Sequence, residues 1–176
     1  MNPSHKPAAS VDVWQLARKG DTLQGRTALG ECARLLEGLP GQPAQRNVDW
    51  SLSGETDSLG QHFMVLRAQA VVTLECQRCL TLFDLPLRVE TRVQLVQNEE
   101  ELEAEGAEDD PDAPDRLPGS THFDVQELVE DELILALPYV PKHEVCPSLP
   151  EVLDSAEGGD TRRPSPFAVL ADLKKD

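Results

Sequence analysis

The side chains best suited to chemistry lie in two short stretches. In "VTLECQRCL", Cys76 and Cys79 are separated by Gln-Arg, and in "KHEVCP", His143 and Cys146 keep the same spacing. Two thiolates three residues apart can converge on one ion, and zinc asks for four sulfur or nitrogen donors. The candidate metal set is therefore Cys76, Cys79, His143 and Cys146, with zinc as the candidate cofactor and no other cofactor indicated. A clip between such distant stretches would close a long loop and stabilise the fold.

Two other readings stay open. A redox pair of the thioredoxin type needs its CxxC at a helix N-terminus, where the dipole lowers the thiol pKa. Here Cys79 runs into "LTLFDLPL", which reads as strand, and only Arg78 is at hand to favour a thiolate. The plainest alternative is a hairpin tip whose thiols are structural and hold no metal. Other catalytic signatures are missing: there is no glycine-rich phosphate loop, no GxSxG and no HExxH. His5, His62 and His122 belong to no constellation, and Cys32 reads as a small buried apolar residue.

The elements that must position these residues are mainly strands. In "HFMVLRAQAVVTLEC", Met64, Leu66, Ala68, Ala70, Val72 and Leu74 form one apolar row, with Arg67, Gln69 and Thr73 opposed. "TLFDLPLRVETRVQLVQ" repeats the pattern with Phe83, Leu85, Leu87, Val89, Val93 and Leu95, and "VDWSLSGE" does so with Val48, Trp50 and Leu52. Alternation of this length means strands with one wet face, as in an antiparallel meander, and places the CxxC in a hairpin connection. Pro86 cannot donate to a ladder and marks an edge or bulge. "DVWQLARKG" reads as a helix capped by Asp12 and stopped by Gly20, "DTLQGRTALG" as a weak short strand and "GECARLLEGLP" as a second brief helix.

From Asn98 to Ser120 the chain carries ten acidic residues and one basic one, which reads as a disordered, self-repelling loop. In "FDVQELVEDELILALPYVP", Asp124 and Glu127 have capping-box spacing; Val125, Leu128, Val129 and Leu133 form a stripe, and Ile134 to Leu137 a buried last turn. The expected fold is α+β: an antiparallel meander of three to four strands packed by short helices, in a single domain. It divides into 12–97 (helices and meander), 98–120 (acidic loop) and 121–176 (acidic helix and a tail closing in the helical "PFAVLADLKK").

Thirty-two acidic residues against sixteen basic give a net charge of −16. Such a surface repels phosphate backbones and suits a cationic partner, so binding to DNA is not expected. Glu127, Glu130 and Asp131 on the acidic helix are the candidate partner-binding residues, unless they are simply a solvated face. The opening "MNPSHKPAAS" lacks a signal-peptide pattern, and no window has transmembrane length, so a cytoplasmic protein without membrane contact is expected. In that compartment thiols stay reduced, which favours ligands or inert buried thiols over disulfides.

Three blocks, "VTLECQRCL", "LVEDELILALPYVPKH" with Cys146 just beyond, and "PFAVLADLK", resemble the bacterial YceD family of ribosomal RNA accumulation proteins. The resemblance runs from about Asp12, loosely over the first third. It implies a role in synthesis, processing or stability of 23S ribosomal RNA, and a gene-neighbourhood link to a small basic protein of the large subunit. Some relatives in the family carry extra cysteine pairs near the carboxy terminus; this chain has no further CxxC after Cys146. Composition and resemblance together lead us to expect a non-enzymatic ribosome-biogenesis factor. It would act through a basic ribosomal protein or assembly factor, with 23S RNA reached indirectly. Direct RNA contact would fall to Arg67, Arg88, Arg92 and Arg78. The alternative from another class is an enzyme, either a thiol oxidoreductase or a metal-dependent nuclease that trims rRNA. A nuclease needs carboxylates around a metal with open positions.

Overall fold

Alternation with a period of two builds a twisted sheet, and the longest alternating runs make its longest strands. The computed structural model describes residues 10–102 and 114–147. Strands β2 (Thr22–Ala28), β3 (Asn47–Thr56), β4 (His62–Glu75) and β5 (Leu82–Val96) pair antiparallel in that order. Met64, Leu66, Ala68, Ala70, Val72 and Leu74 are all buried, as the apolar row requires, together with Val48, Leu52, Leu87 and Val93 from the neighbouring strands.

Helices cover this face. Helix α1 (Val13–Lys19) is capped by Asp12, whose side chain accepts from the Gln15 N–H, and ends at Gly20 in the left-handed region. It buries Val13, Leu16 and Ala17 against β3 and β4. Helix α4 (Val125–Leu135) starts at Asp124, which accepts from the N–H groups of Gln126 and Glu127, and buries Val125, Val129 and Leu133. A single turn, α2 (Ala33–Leu36), follows a 3₁₀ turn at Leu29–Glu31 and packs Leu35 into the same core, beside buried Cys32.

Three expectations need correction. The sheet has five strands and is not purely antiparallel: β6 (Asp115–Pro118) lies parallel to β5, pairing Leu117 with Leu95. β6 and the one-turn helix α3 (Glu99–Leu102) occupy the two ends of the stretch expected to be a disordered loop; residues 103–113 lie outside the described residues. Leu117 packs on the core and Arg116 donates to the Glu101 carbonyl at 2.8 Å, and these two contacts anchor the end of the acidic run. The last turn of α4 is not buried throughout, because Leu135 is 78% exposed. A short pair, β1 (Ser10–Val11) with β7 (Phe123–Asp124), also ties the entry of α1 to the entry of α4. The segment "PFAVLADLKK" lies outside the described residues.

The geometry near the thiols follows from unequal strand lengths. β3 pairs with β4 only as far as Gln69, whereas β4 and β5 run on together to Glu75 and Leu82 as a two-stranded ribbon. Side chains from the loop before β3 replace the missing strand. The Gln42 amide bonds both the N–H and the carbonyl of Thr73, at 2.8 and 2.9 Å. Arg46 donates to the Val71 carbonyl, the Thr73 hydroxyl and Asp84. Pro86 lies on the free edge of this ribbon, since β6 reaches only Val93 to Val96 of β5.

Candidate metal centre

Residues 76–81 form the tip of the β4–β5 hairpin. The Cys76 N–H bonds the Thr81 carbonyl at 3.0 Å and the Leu80 N–H bonds the Cys76 carbonyl at 2.8 Å, closing a tight turn with Leu80 at φ 61°. After α4, Pro138 ends the helix and the chain crosses this tip. The Gln77 N–H donates to the Pro141 carbonyl at 2.9 Å, and the Arg78 guanidinium to the His143 carbonyl at 3.2 Å. These bonds lay "KHEVCP" beside "ECQRC".

The four expected donors meet there. One ligand atom from each of Cys76, Cys79, His143 and Cys146 lies within 4.8 Å of all the others. The Cys76 and Cys146 sulfurs are 3.7 Å apart, and Cys79 Sγ is 3.4 Å from His143 Nδ1. A tetrahedral zinc with ordinary bond lengths sets two sulfurs about 3.8 Å apart and a sulfur and a nitrogen about 3.6 Å apart. The donor set and spacing therefore fit zinc. The surroundings fit as well: Phe83 packs on the His143 ring at 4.6 Å between centroids, Arg78 Nε donates to Cys146 Sγ at 2.9 Å, and the Thr81 hydroxyl lies 3.2 Å from Cys79 Sγ. Such outer contacts orient ligands and balance thiolate charge.

Electrostatics at the buried Cys76 point the same way. Burial pushes its thiol up, but the N–H groups of Cys79, His143 and Arg78 directed at the sulfur, with the His143 side chain, outweigh it and hold it at about 5. Cys146 is pushed up by burial against the pull of Arg78, with Cys79 and Cys76 adding to the rise. Arg78 thus serves Cys146, a partner its place in the sequence does not reveal. No helix begins at the CxxC, and Cys79 is followed by a turn and then a strand.

The acidic helix residues do not stand free together. Arg34 Nε reaches Glu130 at 3.3 Å and its Nη1 reaches Asp131 at 2.6 Å, while Glu130 also accepts the Leu35 N–H at 3.0 Å. Glu130, with its side chain 13% exposed, joins α2 to α4; Glu127 is exposed and gives Arg34 only its carbonyl. Glu130→Ala is expected to destabilise the fold by about 2 kcal/mol, because it leaves the half-buried Leu35 N–H without its acceptor, while Arg34 keeps Asp131 and the Glu127 carbonyl. Urea unfolding would show this, with Glu130→Gln recovering part of the loss.

The strand-face arginines are similarly engaged. Arg67 pairs with Glu90 at 2.7 Å, and Arg92 reaches Glu55 at 3.5 Å while lying 3.6 Å over the Phe63 ring. Arg67 and Arg88 line an open hollow of about 470 Å³ on the polar face of the sheet, together with Gln24, Asp49, Gln69 and Glu90. With carboxylates interleaved among its cations, this hollow offers no continuous track for a phosphate backbone. Among the described residues, no helix is long and apolar enough to cross a membrane.

Fold and site together define the class: an α+β domain built on a five-stranded sheet, whose longest hairpin ends in a four-donor Cys₃His knuckle closed by a loop from behind the last described helix. The family model described as "Large ribosomal RNA subunit accumulation protein YceD" matches residues 64–174. A protein of that name from Haemophilus influenzae is 33% identical over 179 residues, covering 94% of this chain and 95% of its own. The chain belongs to the YceD family. No solved structure matches it.

Proposed function

We propose that this protein supports accumulation of large-subunit ribosomal RNA without itself being an enzyme. It would do so by holding a basic protein, a ribosomal protein or an assembly factor, whose cationic surface meets the 23S RNA. Family membership carries the first half of this reading. Charge supports the second: a chain of net charge −16 attracts basic proteins and repels RNA, and most arginines on the sheet face already have carboxylate partners. The exposed Glu127 and the acidic residues between 98 and 115 would face the partner. Zinc in the knuckle would be structural. Four protein donors complete a tetrahedral shell and leave no open position for activating water or binding a phosphate, as a metal nuclease requires.

The deciding experiment measures mature 23S against 16S RNA in cells with and without this chain. The expected result is a selective fall in 23S that is restored by the intact chain. An unchanged ratio would overturn the reading. In vitro, affinity for the basic partner should fall steeply as salt rises, since screening at 1 M reduces the Debye length to about 3 Å.

A further inference from the structure

Eight large hydrophobic side chains are exposed among the described residues, and five of them lie on the hairpin tip or the stretch that crosses it: Leu80 (70%), Leu82, Tyr139 (98%), Val140 and Val145 (84%). The two halves that carry them are held together by the Gln77–Pro141 and Arg78–His143 bonds and by the donor cluster, so these side chains share one end of the molecule. Such a concentration of apolar surface marks an interaction site rather than random exposure. Leu80 makes the point most sharply. Its φ of 61° is a conformation that suits glycine or asparagine, and its side chain stands in water. A leucine there is unfavourable for the turn and unfavourable for solvation unless something covers it.

We infer that this face is the docking site of the chain's own carboxy-terminal segment, residues 166–175, "PFAVLADLKK". Three observations select that occupant. The described residues end at Pro147, one residue past the ligand Cys146, so the remaining chain starts at the face itself. Eighteen residues, 148 to 165, separate Pro147 from this segment, and a chain of that length can span about 20–25 Å, enough to reach across the knuckle. Phe167, Leu170 and Leu173 follow one another at three-residue spacing, and Lys174 and Lys175 complement the exposed Glu75 and Glu144 that flank the apolar side chains. The family match, from 64 to 174, spans both halves of the knuckle and all but the last residue of this segment.

The test is amide hydrogen exchange on the full-length zinc-loaded chain, followed by mass for peptides covering 78–82 and 136–147. Phe167→Asp combined with Leu170→Asp should speed exchange at Tyr139, Val140 and Val145 by about tenfold or more, with the core strands unchanged. Leu80→Asn, which suits the turn's backbone, should in turn speed exchange across 166–175 while zinc content stays at the wild-type level. Equal exchange in wild type and both variants would overturn the proposal. So would protection that rises with protein concentration, because a second copy would then be the occupant. Protection that appears only on adding a basic partner would overturn it too, by assigning the face to that partner.

Discussion

Cys76→Ser is expected to strip the knuckle of its metal and release the far end of the sheet. The wild-type chain should purify with about one zinc per molecule, and the variant with almost none, because one of four donors is lost from a shell that needs all of them. Cys76 is the ligand with most to lose: it is fully buried, lies 3.7 Å from Cys146 and receives three N–H groups. At free zinc a thousandfold above the dissociation constant, the wild type gains about 4 kcal/mol that the variant cannot. Metal analysis and thermal unfolding with and without chelator measure both effects. Cys32→Ala is the matched control; that thiol sits in the core beside Glu130, away from the donors, and burial raises it to about 11. A variant of Cys76 that kept its zinc would refute the four-donor centre.

The same cysteine sets a pH dependence in the metal-free protein. Its thiol is lowered from 9.0 to about 5, so the folded state binds fewer protons than the unfolded chain between those values. The resulting stability is fully present above pH 9 and is lost as pH falls through about 5. Unfolding of the apo chain across that window should follow this slope, and Cys76→Ser should flatten it.

Gly54→Ala is expected to produce the largest loss of stability without touching the knuckle. Gly54 lies where α1 crosses β3, and an added Cβ would stand 2.3 Å from the carbonyl carbon and oxygen of Leu16 and 2.5 Å from the Ala17 nitrogen. These are backbone atoms, so no side-chain rotation relieves the clash. The crossing is further fixed by the Gly54 N–H on the Asp21 carbonyl and the Thr56 hydroxyl on the Ala17 carbonyl, both at 3.0 Å. The helix must lift and take Val13, Leu16 and Ala17 with it, at a cost of about 3 kcal/mol or more. Gly25→Ala and Gly119→Ala should cost less, because the obstacles there are the rings of Trp50 and Trp14. Denaturant midpoints order the three variants. Zinc content should stay at the wild-type level in all of them.

How much of this was readable from residue spacing depends on the range of the interaction involved. Period-2 alternation specified β3, β4 and β5 and the buried row from Met64 to Leu74, because each strand position answers to its own neighbours two residues away. Asp12, Gly20 and Asp124 marked helix ends for the same local reason. The four donors could be named from type and spacing, since CxxC and HxxC each present both side chains to one side of a turn. Their convergence could not be deduced that way. It depends on Gln77 and Arg78 catching the carbonyls of Pro141 and His143, contacts more than sixty residues apart in the chain. The parallel β6 was equally hidden, because a tetrapeptide in an acidic run has too little pattern to reveal a strand that β5 alone templates. The acidic helix looked like a free binding face until Arg34, almost a hundred residues earlier, was found against Glu130 and Asp131. Charge and periodicity are properties of a segment, whereas pairing, satisfaction and exposure are decided by what folding brings alongside it.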